Sequence, residues 1–188
     1  ENVIVSFHAQ GGQPISKWYK QWKSSTGETD PEAGKIYDAL METTKAEIQG
    51  SKIQTVTFIW MQGEADSKAG NSDVYLASLN GLKKQLEQDL DRTDINFIIG
   101  RLSDSGFYRR RDKKRINNPD WDTVRKAQES FADASERAVW IDTDDLNDGV
   151  NKKGKEIKDD LHYSVKGYEL LGKRFADKAI ALIKKHAG

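Results

Sequence analysis

Cysteine is absent from this chain of 188 residues. That excludes thiol catalysis, disulfides and thiolate metal sites, and leaves the redox compartment undetermined. Net charge is absent as well: 30 basic residues balance 30 acidic ones, so no overall field favours nucleic acid or an anionic membrane. Long apolar runs are missing; residues 56–61 form one of the longest, far short of the roughly 20 residues that span a bilayer. Neither G-x-x-x-x-G-K-S/T nor G-x-G-x-x-G occurs, which weakens any reading as a flavodoxin-like nucleotide binder. Repeats, low-complexity tracts and linkers are also lacking, so residues 1–188 read as a single domain.

What is present is a regular alternation. Four apolar, β-rich runs cover residues 3–7, 53–60, 95–100 and 138–142. They are near-continuous in apolar character, as parallel strands covered on both faces should be. Helical patterns separate them. The first opens at Asp30-Pro31, a cap followed by proline, and runs to Gly50. The second starts near Ser72 with Leu79, Leu82, Leu86 and Leu90 at helical spacing. A third covers about 121–134. The last covers about 165–185, with a buried stripe of Tyr168, Leu171, Phe175, Ala179, Leu182 and Ile183. Strand and helix in alternation predict an α/β fold with a parallel sheet. Ligands then bind at the carboxyl ends of the strands.

Four post-strand segments follow from that rule. His8-Ala9-Gln10-Gly11-Gly12-Gln13-Pro14-Ile15 carries paired glycines, which serve either a tight turn or a close backbone approach to a ligand. Trp60-Met61-Gln62-Gly63-Glu64-Ala65-Asp66 places an amide and two acids at a strand end. There Gln62 is positioned to donate to a developing oxyanion, or the segment is a polar loop capping the next helix. After the third run, Arg101 leads into residues 109–115, where six of seven side chains are cationic. Such a run suits phosphate or acidic polysaccharide but is more often a solvated loop, and it has no interleaved aromatic for base stacking. After the fourth, Asp142, Asp144, Asp145 and Asp148 lack the glycine and closing glutamate of a calcium loop. They are followed by Asp159-Asp160-Leu161-His162. A carboxylate three residues before a histidine can reach the ring Nδ1–H in a turn, fixing the tautomer.

Two of these segments, taken together, resemble a known family. Trp60 to Asp66 resembles the W-x-Q-G-E-x-D signature of the sialate O-acetylesterase-like carbohydrate acetylesterases, a branch of the SGNH hydrolases. Asp159 to His162 resembles their D-x-x-H block, and Gly11-Gly12-Gln13-Pro14-Ile15 with Trp18 resembles the glycine block. The resemblance implies a three-layer α/β/α sandwich with a parallel, flavodoxin-like sheet. It implies removal of O-acetyl groups from a sugar or polysaccharide by a Ser-His-Asp triad, without cofactor or metal, in a secreted or periplasmic protein. It makes His162 the general base and Asp159 its orienting acid. Gly12 N–H and the Gln62 side chain become the oxyanion hole, with Gln13, Glu64 and Arg101 at the substrate. The acetylated carbohydrate is then the partner, with no nucleic acid and no membrane.

One departure stands out. The family's G-Q-S-N-like turn, which carries the nucleophilic serine after the first strand, has no counterpart here. Ser6 falls within the first run and Ser16 after the glycines. The expectation is that the first strand and its serine lie upstream of Glu1. The competing expectation is a catalytically inactive carbohydrate-binding protein that keeps the fold, with Trp18, Tyr19 and Trp22 as a stacking surface.

Overall fold

The structure is a computed structural model that describes residues 2–186. In chain order its elements are α1 (Lys35–Ile48), β1 (Thr57–Trp60), α2 (Glu64–Ala69), α3 (Ser72–Asp89), β2 (Asn96–Gly100), α4 (Pro119–Asp133), β3 (Ala138–Ile141), a small hairpin β4 (Gly149–Val150) and β5 (Glu156–Ile157), and α5 (Val165–His186). Single 3-10 turns precede α1 (Ile15–Lys17) and follow β2 (Asp104–Phe107). Strands β1, β2 and β3 pair in that order, all parallel.

Strand β2 is the centre, and every residue in it is buried. Its side chains alternate between two cores, as the two-residue period of a strand requires. Phe97 and Ile99 point into a large core with Leu79, Leu82 and Leu86 of α3, Val124, Ala127 and Phe131 of α4, and the inner face of α1. Ile98 points the other way, with Ile141, toward Leu171, Leu182 and Phe175 of α5. The sheet is thus covered on both faces, the three-layer arrangement expected.

The apolar runs become strands only where a ladder partner exists. Residues 3–7 form no strand. Val3, Val5 and Phe7 are 84%, 74% and 78% exposed, and among the hydrogen bonds recorded for this stretch is one from Thr44 Oγ1 to Ser6 Oγ, at 2.8 Å. An extended segment without a neighbour leaves its backbone groups to water and gains nothing from pairing. The second run shortens to Thr57–Trp60 for the same reason, since its register starts opposite Asn96. Among the described residues no strand lies along the outer edge of β1, and Ile59 there is 49% exposed.

The helices follow the sequence more closely, with two corrections. Asp30 does cap a turn, accepting the Glu32 N–H at 2.9 Å, but Gly34 then takes a left-handed φ of 78° and α1 begins only at Lys35. A Cβ at Gly34 would lie 2.3 Å from Lys20 Cγ, so the glycine lets the Lys20 segment cross. In α5, Tyr168 is exposed while Leu171 and Leu182 are buried; its ring packs against Tyr163 of the preceding loop, with centroids 5.3 Å apart, and takes no part in the core beneath the helix. Trp121 N–H bonds to the Asn118 side chain at 3.2 Å and Pro119 opens α4, a cap and a proline in their preferred places.

Candidate active site

The carboxyl end of β1 is built from buried polar groups. Gln62 follows β1 directly, and its backbone carbonyl accepts from Tyr75 Oη at 2.7 Å and from Gln128 Nε2 at 2.8 Å. Trp60 Nε1 in turn donates to Tyr75 Oη at 3.0 Å. Gln128 Oε1 accepts the Leu102 N–H at 2.8 Å, so a single side chain of α4 ties the end of β1 to the end of β2. The next residue, Gly63, has φ 145° and almost no space: a Cβ there would meet Val124 Cγ1 at 2.7 Å. Only glycine takes this corner.

The Gln62 side chain faces the glycine segment. Its Nε2 donates to the Gln13 carbonyl at 2.9 Å and to Asp66 Oδ2 in a short contact. Both amide protons are therefore engaged, and the buried Oε1 has no partner among the described residues. Asp66 is fully buried. Besides Gln62 it accepts the Ile15 N–H on both oxygens, at 3.0 and 3.2 Å. Burial pushes its carboxyl up to about 6, against the hydrogen bonds from Gln62 and Ile15 that favour the carboxylate. Gly11 and Gly12 lie exposed beyond Gln13, with Gly12 at φ 73° and nothing within 4 Å of where a Cβ would sit.

The ends of β2 and β3 carry charge. Arg101 Nη1 donates to Glu129 at 2.6 Å, and Nη2 to Asp142 at 2.6 Å and Asp144 at 3.0 Å. Its plane lies 4.7 Å from the Trp140 ring. The guanidinium, expected at the substrate, is enclosed by three carboxylates. Arg125 shares Asp144 at 2.7 Å. Asn147 Nδ2 donates to Asp104 at 3.1 Å. Burial, with the carboxylates of Asp144 and Asp159 nearby, holds the Asp104 carboxyl above its usual value against that bond.

Asp159 and His162 sit on the loop after β5. The Asp160 N–H reaches the Asn147 carbonyl at 3.4 Å, which hangs this loop on the one after β3. Asp159 has φ 45°, a left-handed conformation uncommon for a residue with a Cβ. Its N–H donates to Asp148 at 2.8 Å and its carbonyl accepts from Lys113 Nζ at 2.9 Å. The expected Asp159–imidazole contact is not made. The carboxylate facing His162 Nδ1 is Asp160, at 3.7 Å, and the histidine side chain is 72% exposed. That separation is too long for a hydrogen bond. The turn at Asp159 is left-handed, and Asp160 is the acid left beside the ring. Tyr163 next to it is buried, with Glu64 among the charges that act on its hydroxyl. Through these links the segments after β1, β2 and β3 and the histidine loop share one end of the sheet.

Trp18 and Trp22, weighed above as a stacking surface, are 7% and 8% exposed. They are core residues; Trp18 packs edge-on against Trp60 at 5.4 Å. Serine hydroxyls are engaged elsewhere: Ser16 donates to Asp30 at 2.6 Å and Ser103 to Ser105 at 3.1 Å. Among the described residues none bonds to His162. Asp66, Tyr75 and Gln128 were not singled out in the sequence. Asp66 alone had a signal, as the last residue of the W-x-Q-G-E-x-D pattern.

The profile of a family described as "carbohydrate esterase, sialic acid-specific acetylesterase" matches residues 3–181. Among curated proteins none matches. A protein of Arabidopsis thaliana solved by X-ray crystallography is similar at 21% identity with a TM-score of 0.61, covering 91% of this chain. At that identity the likeness is one of fold. This chain spans 58% of that protein's chain.

Proposed function

We propose that this chain, which belongs to the carbohydrate esterase family of sialic acid-specific acetylesterases, supplies the base and oxyanion hole for removing O-acetyl groups from a sugar. The observation that carries the reading is the pairing of Gln62 Nε2 with the Gln13 carbonyl. It joins the strand-end amide to the glycine segment at the end of the sheet where the histidine loop also lies.

The chemistry follows from those positions. A serine Oγ attacks the acetyl carbonyl while His162 Nε2 takes its proton. The carbonyl oxygen becomes an oxyanion, held by Gly12 N–H and by the Gln62 proton now resting on the Gln13 carbonyl. A charge-assisted bond is stronger than the neutral one it displaces. The tetrahedral species collapses, and the sugar oxygen leaves with the proton from His162. Water then attacks the acetyl-serine with His162 again as base, releasing acetate and restoring the hydroxyl. Asp159 or its neighbour Asp160 orients the imidazole. Gln13 and Glu64 line the sugar, and Arg101 stiffens the wall through its carboxylates.

In this reading the serine comes from chain outside these 188 residues, on a strand laid along the outer edge of β1. The uncovered Ile59 and the unpaired edge support that placement. The test is acetate release by the full-length protein from an O-acetylated sugar and from p-nitrophenyl acetate. Turnover above the uncatalysed rate is expected; glycan binding without turnover would replace the reading with a carbohydrate-binding one.

A further inference from the structure

Asp66 makes contacts that a helix residue has no local need for. It lies in the first turn of α2, yet its Oδ2 takes both the Ile15 N–H, 51 residues away, and the Gln62 amide, while Oδ1 takes a second, longer bond from Ile15. It is fully buried, and no cation pairs with it among the described residues. A buried carboxylate without a counter-ion is costly, and hydrogen bonds alone hold it in place. The two groups it holds are the ones that place the oxyanion hole. Ile15 ends the glycine segment, and Gln62 carries the side-chain donor. Its acceptor-only character also decides the amide. Facing one oxygen of Asp66 and the Gln13 carbonyl, both of them acceptors only, Gln62 must present Nε2 and turn Oε1 away, which is the orientation observed.

We propose that Asp66 is a positioning residue that locks the glycine segment and the Gln62 amide into one unit, with Nε2 aimed at the oxyanion. This rests on the esterase reading and deepens it. Oδ2 alone accepts from both groups, so an amide at 66 with its oxygen in that place keeps both bonds and loses only the longer Oδ1 contact with the Ile15 N–H. A methyl group there keeps neither.

The experiment uses the full-length protein with Asp66→Asn, Asp66→Ala and His162→Ala. Readouts are hydrogen exchange at the Ile15 amide, the side-chain NH2 resonance of Gln62, and kcat and KM on p-nitrophenyl acetate. With Ala at 66, Ile15 exchange should rise at least about tenfold and kcat fall about 100-fold, with KM within about threefold. With Asn, Ile15 should stay protected, the Gln62 resonance hold its place and kcat exceed that of the Ala variant by at least about tenfold. Loss of kcat and of the Gln62 resonance with Asn as severe as with Ala would overturn the proposal, as would unchanged Ile15 exchange with Ala. If wild type and His162→Ala turn over alike, the esterase reading fails. The exchange and resonance data then still decide whether Asp66 holds the two segments.

Discussion

The two halves of the candidate site are held in opposite ways. At the end of β1, Gln62 is fixed through its backbone carbonyl by Tyr75 and Gln128 and through its side chain by Asp66 and the Gln13 carbonyl, mostly in the protein interior. On the loop after β5, His162 is largely exposed, its ring is 3.7 Å from one carboxylate, and the neighbouring Asp159 is held by its backbone rather than its side chain. In the proposed reading the donor side is organised before substrate arrives, and the base side is hung from flanking loops. The oxyanion hole gains from rigidity because its dipoles must not reorganise as charge develops. A histidine that shuttles a proton between two oxygens needs access to both.

The comparison can be broken at either half. The largest effect belongs to the base. His162→Ala should lower kcat by about six orders of magnitude with the urea midpoint unchanged, since an exposed ring contributes little to stability. A loss of stability instead would place the histidine in the fold. Next comes the donor side: Gln62→Ala should reduce kcat about 100- to 1,000-fold and, unlike the histidine change, lower stability by about 1–3 kcal/mol because Asp66 and the Gln13 carbonyl lose their partner.

The third effect is on stability and depends on pH. Asp66 sits near 6 when folded against a usual 3.8. The folded state therefore binds more protons than the unfolded one between those values, and this group's contribution falls as pH rises through that window. Glu64 adds to the shift, and Tyr75 is the neighbouring titratable group in α3. Urea unfolding of wild type and Asp66→Asn across pH 4 to 7 should show the variant gaining on wild type as pH rises, by up to about 3 kcal/mol at 1.36 kcal/mol per unit. Parallel curves would mean the carboxyl is not perturbed. The smallest effect sharpens the base side: Asp159→Asn and Asp160→Asn should differ in kcat by at least about tenfold, the larger loss marking the acid that orients the ring. Equal losses would mean that neither does.

Much of the frame was legible because single segments carry it. The runs at 95–100 and 138–142, and the leucine spacing of 72–90, state a strand or a helix without reference to anything distant. Residues 3–7 read as a strand on the same grounds and form none, since a strand is completed by its neighbour and not by its own composition. Tyr168 failed similarly, because a helical stripe does not say which of its residues the core will cover. At the site, the tokens of chemistry were legible as residue types: Gln62, Gly12 and His162 could each be picked out. Their mutual orientation was not. The turn at Asp159 exchanged one carboxylate for another beside the ring, and Arg101 found three acids from two other segments.

The sequence by itself determined the α/β alternation, the parallel sheet and the short list of polar residues at its carboxyl end, because apolar periodicity and strand-end placement are local properties. Only the tertiary structure decided that Asp66 joins Ile15 to Gln62, that Gln128 bridges two strands, and that Trp18 and Trp22 are core. Each of those depends on which distant group fills a buried hydrogen bond or cavity, and burial exists only once the chain has closed on itself.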